Sequence, residues 1–221
     1  MADEARTLEP VLNASEDAPA HTLDVAGIGP ANASAASERL LAAGVTGLMS
    51  WGTAGALDPT LTSGSLLVYT DALDSAGQRY VCDPQWSDAV TLRLTAFNAK
   101  TGSGYTTGDA VTSADAKSAL LARTQCIAVD MESAAIAAVA AAAGIRFLAV
   151  RVIVDPAHIP IPGSALAGLA EDGTTRPLRV LGALARRPWE LPRLLGLARR
   201  HAAALSTLKR AATVLAPDFG A

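Results

Sequence analysis

The sequence has little of what most often betrays a function. It holds two cysteines, three histidines, and three each of Trp, Tyr and Phe. Cys82 and Cys126 are isolated and lack metal-type spacing, so they read as buried thiols of a reducing compartment. His21, His158 and His201 are scattered with no cysteine nearby, and no metal site is expected. No Walker pattern, HExxH or Gly-x-Ser-x-Gly occurs, which removes the usual phosphate-loop, zinc-hydrolase and serine-hydrolase readings. No apolar run approaches eighteen residues. The Ala-rich stretch 133–143 stops at Gly144, too short for a membrane span. The start, Met-Ala-Asp-Glu-Ala-Arg, is acidic and polar rather than a signal peptide, so a cytoplasmic protein is expected.

What is present is apolar bulk. Half of the 221 residues are hydrophobic, enough to bury a real core in one α/β domain built from Ala, Leu and Val. Charge is unevenly spread. Residues 1–175 carry nine Lys/Arg against nineteen Asp/Glu; residues 176–221 carry nine against two. An acidic body with a basic tail argues against nucleic-acid binding, which usually needs a basic face on the folded domain. The expected division is an α/β domain over 1–175 and basic amphipathic helices over 176–221, packed on the same domain.

Along the chain, residues 1–10 read as a helix and 13–21 as a polar loop. Leu23–Ala26 reads as a short strand entering Gly27-Ile28-Gly29-Pro30, with a helix over Ala31–Ala43; Pro30 suits its first turn and Gly44 its end. Val45–Trp51 is the next strand, leading into a turn at 52–56, and Leu66–Tyr69 another. Residues 84–98 and 113–124 look helical, with a Gly-rich turn at 102–108. Ile127–Val129 and Phe147–Val154 are strands without polar alternation, as in strands covered on both faces, and Ser133–Ala143 is the helix between them. The alternation implies βαβ units and a twisted, mixed to largely parallel sheet flanked by helices. In an open sheet of this kind ligands bind outside the carboxyl ends of the strands.

In the tail, Leu178, Leu181 and Leu184 precede Pro188; Leu191, Leu194, Ala198, Ala202, Leu205 and Leu208 then recur at three/four spacing. Two readings stand: surface helices packing a Leu stripe on the domain, or a basic amphipathic segment with Trp189 on an anionic membrane or on a partner.

Gly27-Ile28-Gly29 lacks the third glycine and the downstream acid of a dinucleotide site, but its backbone NH groups can still approach an anion or water. Carboxylates carry the remaining signal. Val129-Asp130-Met131-Glu132 puts two of them at a strand-to-helix junction, and Asp155 stands where the most apolar strand ends. Singly, Glu132 could be a helix-start charge and Asp155 a turn residue. Jointly they point to one acidic cleft.

These residues resemble the purine/uridine phosphorylase and nucleosidase superfamily. Val129–Ala137 matches its Val-[Asp/Glu]-Met-Glu-x-x-Ala stretch, Val150–Asp155 its Val-Arg-x-Ile-x-Asp strand end, and Gly27–Ala33 its Gly-x-Gly segment. Gly52–Leu57, Gly64–Val68 and Gly108-Asp109-Ala110 follow in the family's order. Asp155-Pro156-Ala157, Ile161-Pro162, Glu171-Asp172-Gly173 and Arg186–Pro192 look like the hopanoid-associated phosphorylase branch, implicated in releasing adenine from adenosylhopane.

The resemblance implies cleavage of a nucleoside N-glycosidic bond, with water or phosphate as co-substrate and no cofactor. It implies that Asp155 meets N7 of the leaving adenine, that Glu132 grips the ribose hydroxyls against Met131, and that Glu4 activates the nucleophile. Gly29, Thr53 and Gly55 fall in its ligand-binding turns, and Val111 and Thr112 in its base loop. It further implies a homodimer, a small and in this branch lipid-linked nucleoside as partner, and peripheral contact with the inner face of the membrane. Two departures count. The apolar residues of the family's first strand are absent before Met1: either the start is placed too late, or the sheet is one strand short and activity is lost with it. Trp51 stands where phosphorylases carry a phosphate-holding Arg, which tilts the reading toward hydrolysis; Arg39, Arg151 or an arginine from another subunit are the alternatives for that duty. The competing readings are a soluble methylthioadenosine/adenosylhomocysteine nucleosidase and a non-catalytic purine-binding protein.

Overall fold

The computed structural model of the protein describes residues 2–12, 21–167, 177–216 and 219. The chain runs α1 (Ala2–Leu12), α2 (Pro30–Ala42), β1 (Gly47–Ala56), β2 (Leu66–Leu73), β3 (Arg79–Val81), α3 (Pro84–Arg93), β4 (Lys100–Thr106), α4 (Ala114–Thr124), β5 (Ala128–Asp130), α5 (Ser133–Ala143), β6 (Arg146–Asp155), a short α6 (Gly163–Leu166), α7 (Pro177–Arg186) and α8 (Leu191–Leu215). Motif residues 171–173 and the 175/176 boundary lie outside the described residues.

The sheet is mixed. β1 runs parallel to β6, β2 to β4, and β4 to β5, whereas β1–β5, β2–β3 and β2–β6 are antiparallel. The order β3-β2-β4-β5-β1-β6 closes on itself because β2 also pairs with β6, Leu66 against Val152 and Val68 against Val150. The open sheet expected from the alternation is therefore a five-stranded closed ring with β3 as an outer flap. Closure removes strand edges and accounts for a β6 that is buried from Phe147 through Asp155.

Three local expectations are corrected. Residues 102–108 are mostly the strand β4. Its glycines admit neighbours: a Cβ on Gly104 would lie 1.9 Å from the ring of the fully buried Tyr69. Residues 52–56, expected as a turn, extend β1, whose burial alternates throughout. Leu23–Ala26 forms no strand, because no described strand lies alongside to take its backbone hydrogen bonds, and Leu23 and Val25 are exposed.

α5 and α2 pack on each other, and α8 packs on β6 and α1. The buried face of α8 is Ala204, Leu208, Ala211, Ala212 and Leu215. Ala198 and Ala202, expected in that stripe, are exposed. The helix is rotated so that the row four and three residues apart from Leu208 meets the sheet. Among the described residues no helix is long and apolar enough to cross a membrane.

Candidate active site

The site starts at the junction of β5 and α5. Asp130 ends the strand, and its Oδ1 accepts from Thr106 Oγ1 at 2.8 Å and from the backbone N–H groups of Glu132 and Ser133 at 3.1 and 3.0 Å. Asp130 therefore satisfies the open amides at the start of α5. Its Oδ2 faces Arg151 Nε at 3.3 Å, and Arg151 also donates to Ser50 Oγ and Ser133 Oγ at 2.6 and 2.8 Å. Burial alone would push the Asp130 carboxyl up. The Arg151 guanidinium and these donors reverse that and hold it below the ordinary carboxylate value.

With the helix start served by Asp130, the Glu132 side chain makes no capping bond. Its Oε1 instead accepts from Gly29 N at 3.1 Å. Gly29 has φ +92°, a conformation that suits glycine and turns its N–H toward the carboxylate. Burial raises the Glu132 carboxyl above its ordinary value, and the Asp130 charge adds to this against the pull of Arg151.

Asp155 ends β6. The β1–β6 register slips between Ala54 and Gly55, so that Ile153 faces Ala54 while Asp155 faces Gly55 and Val154 is the extra residue. Such a bulge re-aims the next side chain. Gly55 gives the room: a Cβ there would lie 3.0 Å from Asp155 Oδ2. The Asp155 side chain is 10% exposed and is paired with Lys117 of α4, Nζ to Oδ2 at 2.5 Å. Burial nevertheless raises its carboxyl above the ordinary value, more than Lys117 lowers it. Glu4 of α1 reaches in from the opposite wall, its Oε1 accepting from both Thr53 N and Thr53 Oγ1 at 2.8 and 2.7 Å.

The four carboxylates Glu4, Asp130, Glu132 and Asp155 border one cavity of about 230 Å³. Glu4, Thr53, Gly55, Val111, Met131, Glu132 and Asp155 line it. Two expected residues do not. Gly29 touches it only through its bond to Glu132, and the carbonyl of Thr112 accepts from Ile161 N at 2.9 Å, tying the 107–112 loop to the segment after β6. Sequence reasoning missed Lys117 and the apolar and imidazole lining supplied by Ile161, Leu166, Leu197 and His201. Leu197 and His201 come from the tail helix, whose Arg content drew attention away from its inward face. A second cavity of about 300 Å³ beside Trp51, Trp86 and Phe219 gathers no carboxylate.

The arginines weighed as anion holders are engaged elsewhere. Arg39 is paired through two bonds with Asp24, and Arg151 sits in the Asp130 network. Trp51 donates its indole N–H to Thr7 Oγ1 at 3.0 Å and packs on Phe219. Among the described residues no group of three or more His, Cys, Asp or Glu is arranged to hold a metal ion.

Comparison with known proteins agrees with this architecture. The structure is similar to Helicobacter pylori strain 26695 futalosine hydrolase (TM-score 0.70, 16% identity, 97% of this chain and 93% of that one). It is similar to Neisseria meningitidis 5′-methylthioadenosine/S-adenosylhomocysteine nucleosidase bound to methylthio-immucillin-A (TM-score 0.69, 18% identity, 97% and 95%). It also resembles Streptococcus pyogenes S-adenosylhomocysteine nucleosidase bound to 5-methylthiotubericidin (TM-score 0.63, 20% identity, 94% and 92%). At these identities the likeness is one of fold. No curated protein matches the sequence significantly. The family model of the phosphorylase superfamily matches residues 21–185, which hold the closed sheet, Glu132 and Asp155 but not Glu4, and the chain belongs to that superfamily.

Proposed function

We propose that the protein cleaves the N-glycosidic bond of an adenine nucleoside, with water as the nucleophile. The observation that carries this is the convergence of three carboxylates, Glu4, Glu132 and Asp155, from three separate elements on one small cavity. Breaking such a bond passes through an oxocarbenium-like state. One group must relieve charge on the leaving base, and others must support the sugar and the attacking water.

Asp155, with its raised carboxyl, suits the proton donor to N7 of the base. Glu132, held by Gly29 N–H beside Met131, suits the ribose hydroxyls. Glu4, anchored on Thr53, suits the water. Val111 lines the base end, while Gly55 leaves room for Asp155. Hydrolysis is favoured over phosphorolysis because Arg39 and Arg151 already serve Asp24 and Asp130, and Trp51 serves Thr7.

The finer reading is a lipid-linked adenine nucleoside, adenosylhopane, taken from the membrane surface by a homodimer. It is supported by the apolar cavity wall of Ile161, Leu166 and Leu197 and by exposed Leu181, Trp189, Leu191 and Leu195 among exposed Arg179, Arg186, Arg187 and Arg193. The near full-length likeness to the Neisseria nucleosidase favours methylthioadenosine as the second reading.

Adenine release from adenosylhopane and from methylthioadenosine, with and without phosphate, tests all of this. Release from the lipid without phosphate is the expected result. Release from methylthioadenosine alone selects the soluble reading, and a phosphate requirement overturns hydrolysis. Binding of adenine with no turnover of either compound overturns catalysis.

A further inference from the structure

One buried charged group is absorbed by nothing above. Lys117 is 0% exposed, and a lysine is almost never fully buried unless paired. It lies one turn into α4, whose start is fixed by Ser113 Oγ accepting from Ala116 N at 3.2 Å. From there the ammonium donates to Asp155 Oδ2 and reaches the carbonyls of Pro156 and Ile159 at 3.1 and 3.4 Å. With the Asp155 carbonyl at 3.5 Å its three N–H groups have four acceptors within reach, all within one turn of the end of β6. Among the described residues it is the only side chain that bonds the Asp155 carboxylate.

Arg151 offers the contrast. Its partner Asp130 has both oxygens engaged and a side chain 0% exposed, whereas Lys117 takes one oxygen of a carboxylate whose side chain is 10% exposed on the cavity.

We infer that Lys117 is the positioning residue of the Asp155 acid. It holds Oδ2 by an ion pair and the Pro156–Ile159 turn by its carbonyls, so that the second carboxyl oxygen is presented to the bound base. This rests on the role given to Asp155 above. It goes beyond that role in two ways. The turn fixed by Lys117 continues into Ile161, which is latched to the Thr112 carbonyl, so one ammonium sets both the acid and the apolar wall. And a fixed cation against Asp155 limits how far burial can push the acid toward the protonated form. The other charged or titratable groups near Asp155 are Arg200 and His201 of α8, with Glu4, Asp109, Asp130 and Glu132 around the cavity.

The test is the pH profile of adenine release by the wild type, Lys117→Met, Lys117→Gln and Lys117→Arg, using the nucleoside that the wild type turns over. The carboxyl carbon of Asp155 is followed in parallel by ¹³C NMR. Removing the cation lets the carboxyl hold its proton to higher pH. The alkaline limb and the NMR titration should both move up by about one to three units in Lys117→Met and Lys117→Gln. In the same variants kcat should fall by about a hundredfold through misplacement of the acid, with KM changed far less, and Lys117→Arg should recover most of both. A limb and an NMR titration that stay in place while only the amount of folded protein falls would make Lys117 a structural brace and overturn the inference. If the wild type shows no base release, the reading of Asp155 fails first. The NMR arm still reports whether Lys117 governs that carboxyl.

Discussion

Two buried ion pairs leave the same strand four residues apart, and they are built to opposite ends. Arg151–Asp130 is saturated: the guanidinium meets Ser50 and Ser133 as well as the carboxylate, and Asp130 takes a hydroxyl and two amides besides. Lys117–Asp155 is left half open to a cavity. In the first pair the Arg151 charge, with the hydrogen bonds beside it, outweighs burial and the carboxyl is held down; in the second, burial wins and the carboxyl is raised. A pair that satisfies every lone pair braces the fold, and one that leaves an oxygen free can do proton chemistry.

The largest expected effect breaks the second pair at the acid. Asp155→Asn keeps an oxygen for Lys117, so the circular dichroism spectrum should be native. Base release should drop by about a thousandfold, within the range of lost general acids. Near-normal turnover would remove Asp155 from its role. Breaking the first pair should instead act on stability. Arg151→Met leaves the Asp130 charge buried without its cation, and urea unfolding should show a loss of about 3–5 kcal/mol.

The pH dependence of that stability sharpens the contrast. Asp130, held low in the folded state, contributes stability that is present above the ordinary carboxylate value and lost as pH falls through its depressed value. Asp155 has the opposite sign: its contribution is present below the ordinary value and lost as pH rises through its raised one. Urea midpoints from acid to neutral pH should lose the second dependence, and keep the first, in Asp155→Asn.

Smaller changes follow the same division. Ser133→Ala removes one buried acceptor of the Arg151 guanidinium and should cost about 1–3 kcal/mol. Ser113→Ala uncaps the helix that carries Lys117, and thermal unfolding should register about 1 kcal/mol.

The parts of this comparison that could be read from the sequence are those written in consecutive residues. The junction at 129–132 and the end of β6 were legible because an Ala helix and a β-branched strand bracket the acids within a few positions. The partners were not. Lys117 reaches Asp155 across 38 residues, and one lysine among alanines on a helix carries no pattern. Ring closure by β2 and β6 joins residues more than eighty positions apart, so alternating helices and strands suggested an open sheet. The glycines of β4 read as a turn because their purpose, making room for Ile127 at Gly102 and Tyr69 at Gly104, is visible only in three dimensions. Leu23–Ala26 had the composition of a strand and no described strand beside it. The inward face of α8 was hidden behind its arginines, and the Leu197 and His201 lining with it.

The most direct test of the central claim, that Asp155 supplies the leaving base with its proton, uses a leaving group that needs none. Wild type and Asp155→Asn are compared on the adenine nucleoside and on 4-nitrophenyl β-D-riboside, whose nitrophenolate departs unprotonated. The account predicts that Asp155→Asn loses adenine release while nitrophenolate release stays within a few-fold of the wild type. An equal fall on both substrates would contradict it, because the residue would then be holding the site together rather than protonating the base.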